Sequence, residues 1–92
     1  MKNKLEYRRL ERIVKGFANH RRLQILELLN KEPELSVIEV ASMVKSDMKN
    51  ISAHMNKMAI AGLIMKRNDI NSVRHKLTRR GKAILQFVRI IE

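Results

Sequence analysis

The sequence predicts a mainly helical fold with one small β-hairpin, in the order α-α-α-α-β-β-α. Three observations carry that prediction: two helix-start signals close together at Ser36 and Asp47, a change of apolar period after Gly62, and a net charge of +11. Ser36 and Glu39 form a capping box, in which each side chain satisfies an orphan amide at the helix start. Asp47 caps the next helix by accepting from the amide of Lys49 or Asn50. Gly62 permits the left-handed turn that ends a helix. Two helices joined by so short a turn must cross sharply, which is the helix-turn-helix arrangement. In so basic a chain, the second of them is a candidate to enter the DNA major groove.

The first helix is expected over 4–17, where Leu5, Leu10, Ile13, Val14 and Phe17 leave one apolar stripe and Gly16 weakens the end. Asn19 caps a second helix over about 20–30, whose wide apolar face (Leu23, Ile25, Leu26, Leu28, Leu29) makes it central. Residues 31–34 form a loop, because Pro33 disfavours helical geometry in the residue before it. The third and fourth helices are expected over 37–45 and 48–61. Beyond Gly62, residues 63–67 and 73–77 read as short strands around a turn at 69–72. Thr78 caps a last helix over 79–91. The 92 residues therefore form a single domain, a winged helix, with the helix-turn-helix at 36–61 and the wing at 63–77.

Twenty Lys and Arg face nine Asp and Glu, and they are unevenly placed. Residues 1–44 hold nine basic and six acidic residues; residues 45–92 hold eleven and three. A basic half that begins at the turn before the fourth helix suits a polyanionic partner. A surface charged only for solubility does not explain why charge and motif coincide. The absence of cysteine excludes disulfides and thiolate metal sites. No apolar run approaches the ~20 residues of a membrane span, and the charged N-terminal stretch lacks a signal-peptide core. A cytoplasmic location and no membrane partner are expected.

In the fourth helix Ile51, Met55 and Met58 recur at core spacing. The opposite face presents Lys49, Ser52, Ala53 and Asn56, bordered by Met48, Asn50 and Lys57. Asn50 and Asn56 suit adenine, Lys49 suits guanine or phosphate, Ser52 suits either, and Ala53 offers a methyl to thymine. Lys45 adds a phosphate contact before the helix. On the hairpin Lys66, Arg67, Arg74 and Lys76 are candidates to sit over phosphates or reach a minor-groove edge, with Arg79, Arg80 and Lys82 extending the surface. With roughly six phosphates contacted per protomer, affinity should fall steeply with salt. His54 has two readings, a hydrogen-bonded structural residue or a phosphate contact. No catalytic set can be assembled, and His20 and His75 lack metal-ligand spacing with His54.

Ala83, Ile84, Leu85, Phe87, Val88, Ile90 and Ile91 go around the last helix instead of forming one stripe. A terminal helix apolar on most sides needs more cover than a small monomer supplies. The first and last helices are therefore expected to form a two-fold dimer through Leu5, Leu10, Ile13, Val14, Ile84, Phe87, Val88 and Ile91.

Residues 17–78 resemble the ArsR-type winged-helix regulators of bacteria and archaea. Phe17-Ala18-Asn19-His20-Arg21-Arg22-Leu23-Gln24-Ile25-Leu26 is similar to the family's "L-a-d-p-t-R-l-r-I-L" opening, with Arg22 at its arginine. Ile51-Ser52-Ala53-His54-Met55 resembles the "V-S-r-H-L" recognition segment, and Ala61-Gly62-Leu63-Ile64 the "a-G-L-v" before the wing. Leu77-Thr78-Arg79-Arg80-Gly81-Lys82 is closer to the "L-T-x-x-G" of MarR- and PadR-type regulators. The resemblance implies a DNA-binding regulator with His54 close to DNA. Metal-sensing members carry Cys-x-Cys where this chain has Ser36 and Ile38. The last helix also lacks histidine, and lacks acid before Glu92, so the known metal sites are not matched.

Together these readings describe a homodimeric, sequence-specific binder of double-stranded DNA, a transcriptional repressor without metal, cofactor or enzymatic activity. The alternatives are a plasmid or phage partition protein that coats centromere repeats, and a winged-helix adaptor between proteins. An effector, small molecule or protein, is left open by the residues.

Overall fold

The computed structural model describes residues 2–92. Its elements are α1 (Lys4–Phe17), α2 (His20–Lys31), α3 (Val37–Val44), α4 (Met48–Ile60), β1 (Ile64–Asn68), β2 (Val73–Leu77) and α5 (Arg79–Ile91). Their order is the expected one. Each α-helix begins at a side-chain cap: Asn3, Asn19, Ser36, Asp47 and Thr78 accept from amides two or three residues on. The Ser36–Glu39 box is reciprocal, and Asp47 accepts from Asn50.

Several boundaries differ from the sequence reading, each through a backbone hydrogen bond. α3 stops at Val44 because Lys45 is left-handed (φ 55°) and turns its amide back to the carbonyls of Ala41 and Ser42. β1 starts one residue late because the Leu63 amide still bonds Met58 O at 2.9 Å. Gly62, at φ 78°, makes the turn between α4 and the wing. Gly16 is the next-to-last residue of α1. It is buried, and a Cβ there would overlap the Cβ of Ala61.

The core forms around α2, which packs on α1, α3, α4, α5 and β2. Ile25, Leu26, Val40, Ile51, Met58 and Leu63 are fully buried. Each such side chain contributes about 1.5–3 kcal/mol relative to exposure. The wing is an antiparallel pair with Met65 opposite Lys76 and Arg67 opposite Arg74. Leu35 adds an isolated bridge to His75, so the segment before α3 lines the free edge of β2. The Glu34 amide donates to His75 O (2.8 Å) and the His75 amide to Leu35 O (3.0 Å). One bridging pair is too short to leave an alternating pattern, and the sequence reading missed it.

The end of α4 and the start of α5 are locked together. Thr78 Oγ1 donates to Gly62 O (2.5 Å) and accepts from the Gly81 amide (3.0 Å). Arg80 Nη1 donates to Ala61 O at 2.9 Å. Among the described residues, no helix is long and apolar enough to cross a membrane.

Candidate nucleic-acid interface

The core methionines fix how α4 is turned. Ile51, Met55 and Met58 are buried, which leaves Met48, Lys49, Asn50, Ala53, Asn56 and Lys57 exposed and Ser52 half-buried on the other side. Lys45 is exposed in the turn between α3 and α4. Two of the polar candidates are already engaged. Asn50 Nδ2 donates to Asp47 Oδ2 at 2.8 Å, and Asn56 Oδ1 accepts from Lys66 Nζ at 2.7 Å. Lys49 and Ser52 make no side-chain hydrogen bond among the described residues. The α4 surface therefore offers a cation, a hydroxyl and a methyl group without rearrangement, whereas the two asparagines must exchange a partner to read a base edge.

His54 is half-buried and accepts, through Nδ1, from Arg22 Nε at 3.1 Å. The same guanidinium donates through Nη1 to Lys15 O at 2.6 Å. Arg22 thus ties the end of α1 and the start of α2 to the middle of α4. Burial first, then the positive charges of Arg22 and Arg21, hold the His54 imidazole below its ordinary pKa of 6.5 and favour its neutral form. Sequence reasoning gave Arg22 no role beyond its place in a motif. Nothing in one dimension says that it meets His54, thirty-two residues away.

The wing cations fall into two groups. Arg67 binds Glu34 Oε2 through Nη2 at 2.9 Å. Arg74 is half-buried and reaches Asp69 Oδ2 (3.4 Å), Glu34 O (3.1 Å) and Glu39 Oε1 (3.5 Å). The Ile70 amide and then Arg74 hold the Asp69 carboxyl below its usual range. Both arginines therefore brace the wing against the segment before α3. Lys76 is exposed with no side-chain partner among the described residues, and Lys66 leans on α4. Lys66 and Lys76 are the wing cations that meet no carboxylate among the described residues, and the register puts them on opposite faces of the hairpin. Arg79, Arg80 and Lys82 are exposed at the start of α5, and Arg80 is held by Ala61.

The expected dimer residues also divide. Ile13 and Ile84 pack against the chain's own core, and Val88 is half-buried. Leu5, Leu10, Val14, Phe87 and Ile91 are exposed, as is Ile90. His75 is buried and bonds Leu35 O through Nδ1 at 2.9 Å, a structural position that its alternation with Val73 and Leu77 signals. Among the described residues, no group of three or more His, Cys, Asp or Glu is placed to hold a metal ion.

A family model described as HVO_A0114 matches residues 18–80, from the end of α1 to the start of α5. The chain belongs to the HVO_A0114 family. The HVO_A0114 segment contains both the Arg22–His54 contact and the whole wing. A comparison with curated proteins gives no match. Among solved structures, the HVO_A0114 chain is similar to HlyU from Vibrio cholerae: 28% identity, TM-score 0.80, 97% of each chain covered. It shares its fold with a homodimeric winged helix-turn-helix DNA-binding domain from Mycobacterium bovis, described as a possible ArsR-family transcriptional regulator. There the identity is 22% and the TM-score 0.86, over 99% of this chain and 86% of that one. FabT from Streptococcus pneumoniae, solved in complex with DNA, matches at 17% identity and a TM-score of 0.68, over 75% and 50% of the two chains. The fold of this HVO_A0114 chain is thus that of the ArsR-like winged helix-turn-helix regulators.

Proposed function

We propose that this protein is a homodimeric, sequence-specific binder of double-stranded DNA that represses transcription and needs no metal. The observation that carries the reading is the orientation of α4. Its core methionines face inward, and its outward face presents Lys49, Ser52, Ala53 and Asn56 between the exposed Lys45 and the wing lysines. In this fold the N-terminal part of such a helix lies against base edges, while cations at its borders and on the wing meet phosphates. The exposed Leu5, Leu10, Val14, Phe87 and Ile91 support pairing through α1 and α5, which would present two recognition helices to successive grooves.

Selection of genomic fragments with the purified protein, followed by footprinting, tests the reading. A two-fold symmetric site overlapping a promoter is expected. Cooperative protection along tandem repeats would assign a partition role instead. No protected site at moderate salt would leave the adaptor reading. Chelator or added zinc should leave the affinity for the selected site unchanged.

A further inference from the structure

Beside the DNA-facing side, α1, the C-terminal end of α4 and the start of α5 enclose an open groove of about 450 Å³. Its wall carries six cations, Arg9, Arg12, Lys15, Arg22, Lys57 and Arg80, and no carboxylate. Its floor is apolar, made by Ile13, Gly16 and Ala61, and the exposed Ile60 stands at its edge. We propose that this groove binds a small amphipathic anion: an organic carboxylate, sulfonate or phosphate with a short apolar body.

Two cations are set in place before any ligand arrives. Arg80 is held by Ala61 O, and Arg22 by Lys15 O and His54 Nδ1. Lys15 faces Glu11 at 3.4 Å, but Arg9, Arg12 and Lys57 meet no acceptor among the described residues. Like charges gathered around one groove repel, and an anion seated among them relieves that repulsion. Ile60 is 84% exposed at the groove, a large apolar side chain without cover among cations. Inorganic phosphate satisfies the wall and leaves Ile60 wet. An alcohol of the same length covers Ile60 and leaves the wall unpaired. Only an amphipathic anion answers both, and the volume suits a small organic molecule.

Gly16 makes the floor possible, because a Cβ there would displace Ala61 and part α1 from α4. Arg22 also gives the groove a route to the recognition helix. An acid group that draws its guanidinium inward competes with His54 for it. The inference does not depend on the DNA-binding reading, because its test contains no DNA.

The full-length protein is titrated with octanoate, 1-octanol and inorganic phosphate while amide resonances are followed by NMR. Octanoate should give saturable shifts clustered at Gly16, Ile60 and Ala61, and the other two compounds should bind about tenfold more weakly or worse. Arg12 and Lys57 are exposed, so the pair Arg12→Glu/Lys57→Glu leaves the core intact and should weaken octanoate about tenfold. The neutral pair Arg12→Gln/Lys57→Gln should weaken it less. The same reversal elsewhere, Lys49→Glu/Lys76→Glu, should leave it unchanged. Shifts spread over the whole surface, equal loss in both charge-reversed proteins, or phosphate binding as tightly as octanoate would each overturn the proposal.

Discussion

His54 shows how a neighbour sets the chemistry of one side chain. Arg22 Nε–H can only donate, so Nδ1 must accept, and the neutral ring keeps its proton on Nε2 as the donor left for a phosphate. Burial disfavours the charged ring, and protonation would also place a second positive charge against Arg22, so both lower its pKa. The sign follows. Because the folded pKa lies below 6.5, the unfolded chain takes up the proton first, and stability falls as pH drops from 6.5 toward the folded value. An NMR titration should place the His54 midpoint below 6.5, and Arg22→Met should raise it. A midpoint that Arg22→Met does not move would mean the contact is not made in solution. Gly81 is a second such residue. An added Cβ would run into the Leu63 carbonyl oxygen, which is backbone and cannot swing away. Gly81→Ala should lower stability by about 1–3 kcal/mol in denaturant unfolding. That geometry gives a physical reason for the glycine in the "L-T-x-x-G" ending.

The wing is the element where structure most changes the interpretation of charge. On sequence alone Lys66, Arg67, Arg74 and Lys76 are four equivalent cations. In the fold, Arg67 and Arg74 bind Glu34, Glu39 and Asp69, while Lys76 is free of them. Lys76→Ala should therefore weaken DNA binding and reduce the slope of log affinity against log salt by about 1. Arg74→Ala should lower the stability of the wing, seen as faster amide exchange across β2, with little change in that slope. Glu34→Gln should raise DNA affinity by releasing Arg67 and removing a negative charge from beside the wing. The helix-turn-helix element is more fully local. Ser36→Ala removes one half of a reciprocal capping box, and should cost about 1 kcal/mol of stability without altering the α4 face.

Across the whole molecule, α1 and α5 both keep large apolar side chains outside the core. Leu85 is buried and Ile84 and Val88 are half-buried, but Phe87, Ile90 and Ile91 are 49%, 75% and 63% exposed. α5 is thus covered along one side by α2 and β2. Phe87→Glu with Ile90→Glu should convert a dimer to a folded monomer in sedimentation velocity. DNA affinity should then fall, because two linked half-sites bind far more tightly than one. A protein that sediments as a monomer before substitution would remove the dimer from the proposal.

The sequence by itself determined the elements and their order, because caps, proline, glycine and apolar period act within a few residues of one another. Asn19, Ser36, Asp47 and Thr78 cap the helices they were expected to cap, and Ile51, Met55 and Met58 face the core as their spacing requires. The exposed side of α4 followed from that spacing alone. Tertiary structure decided which polar groups of α4 and the wing are free. Asn56 is engaged by Lys66 from the wing, His54 by Arg22 from α2, and Arg67 by Glu34 from the loop before α3. Each of these pairs spans ten or more positions of chain. The strength of a charge depends on which charge lies beside it in space, and the chain sets that only after it has folded.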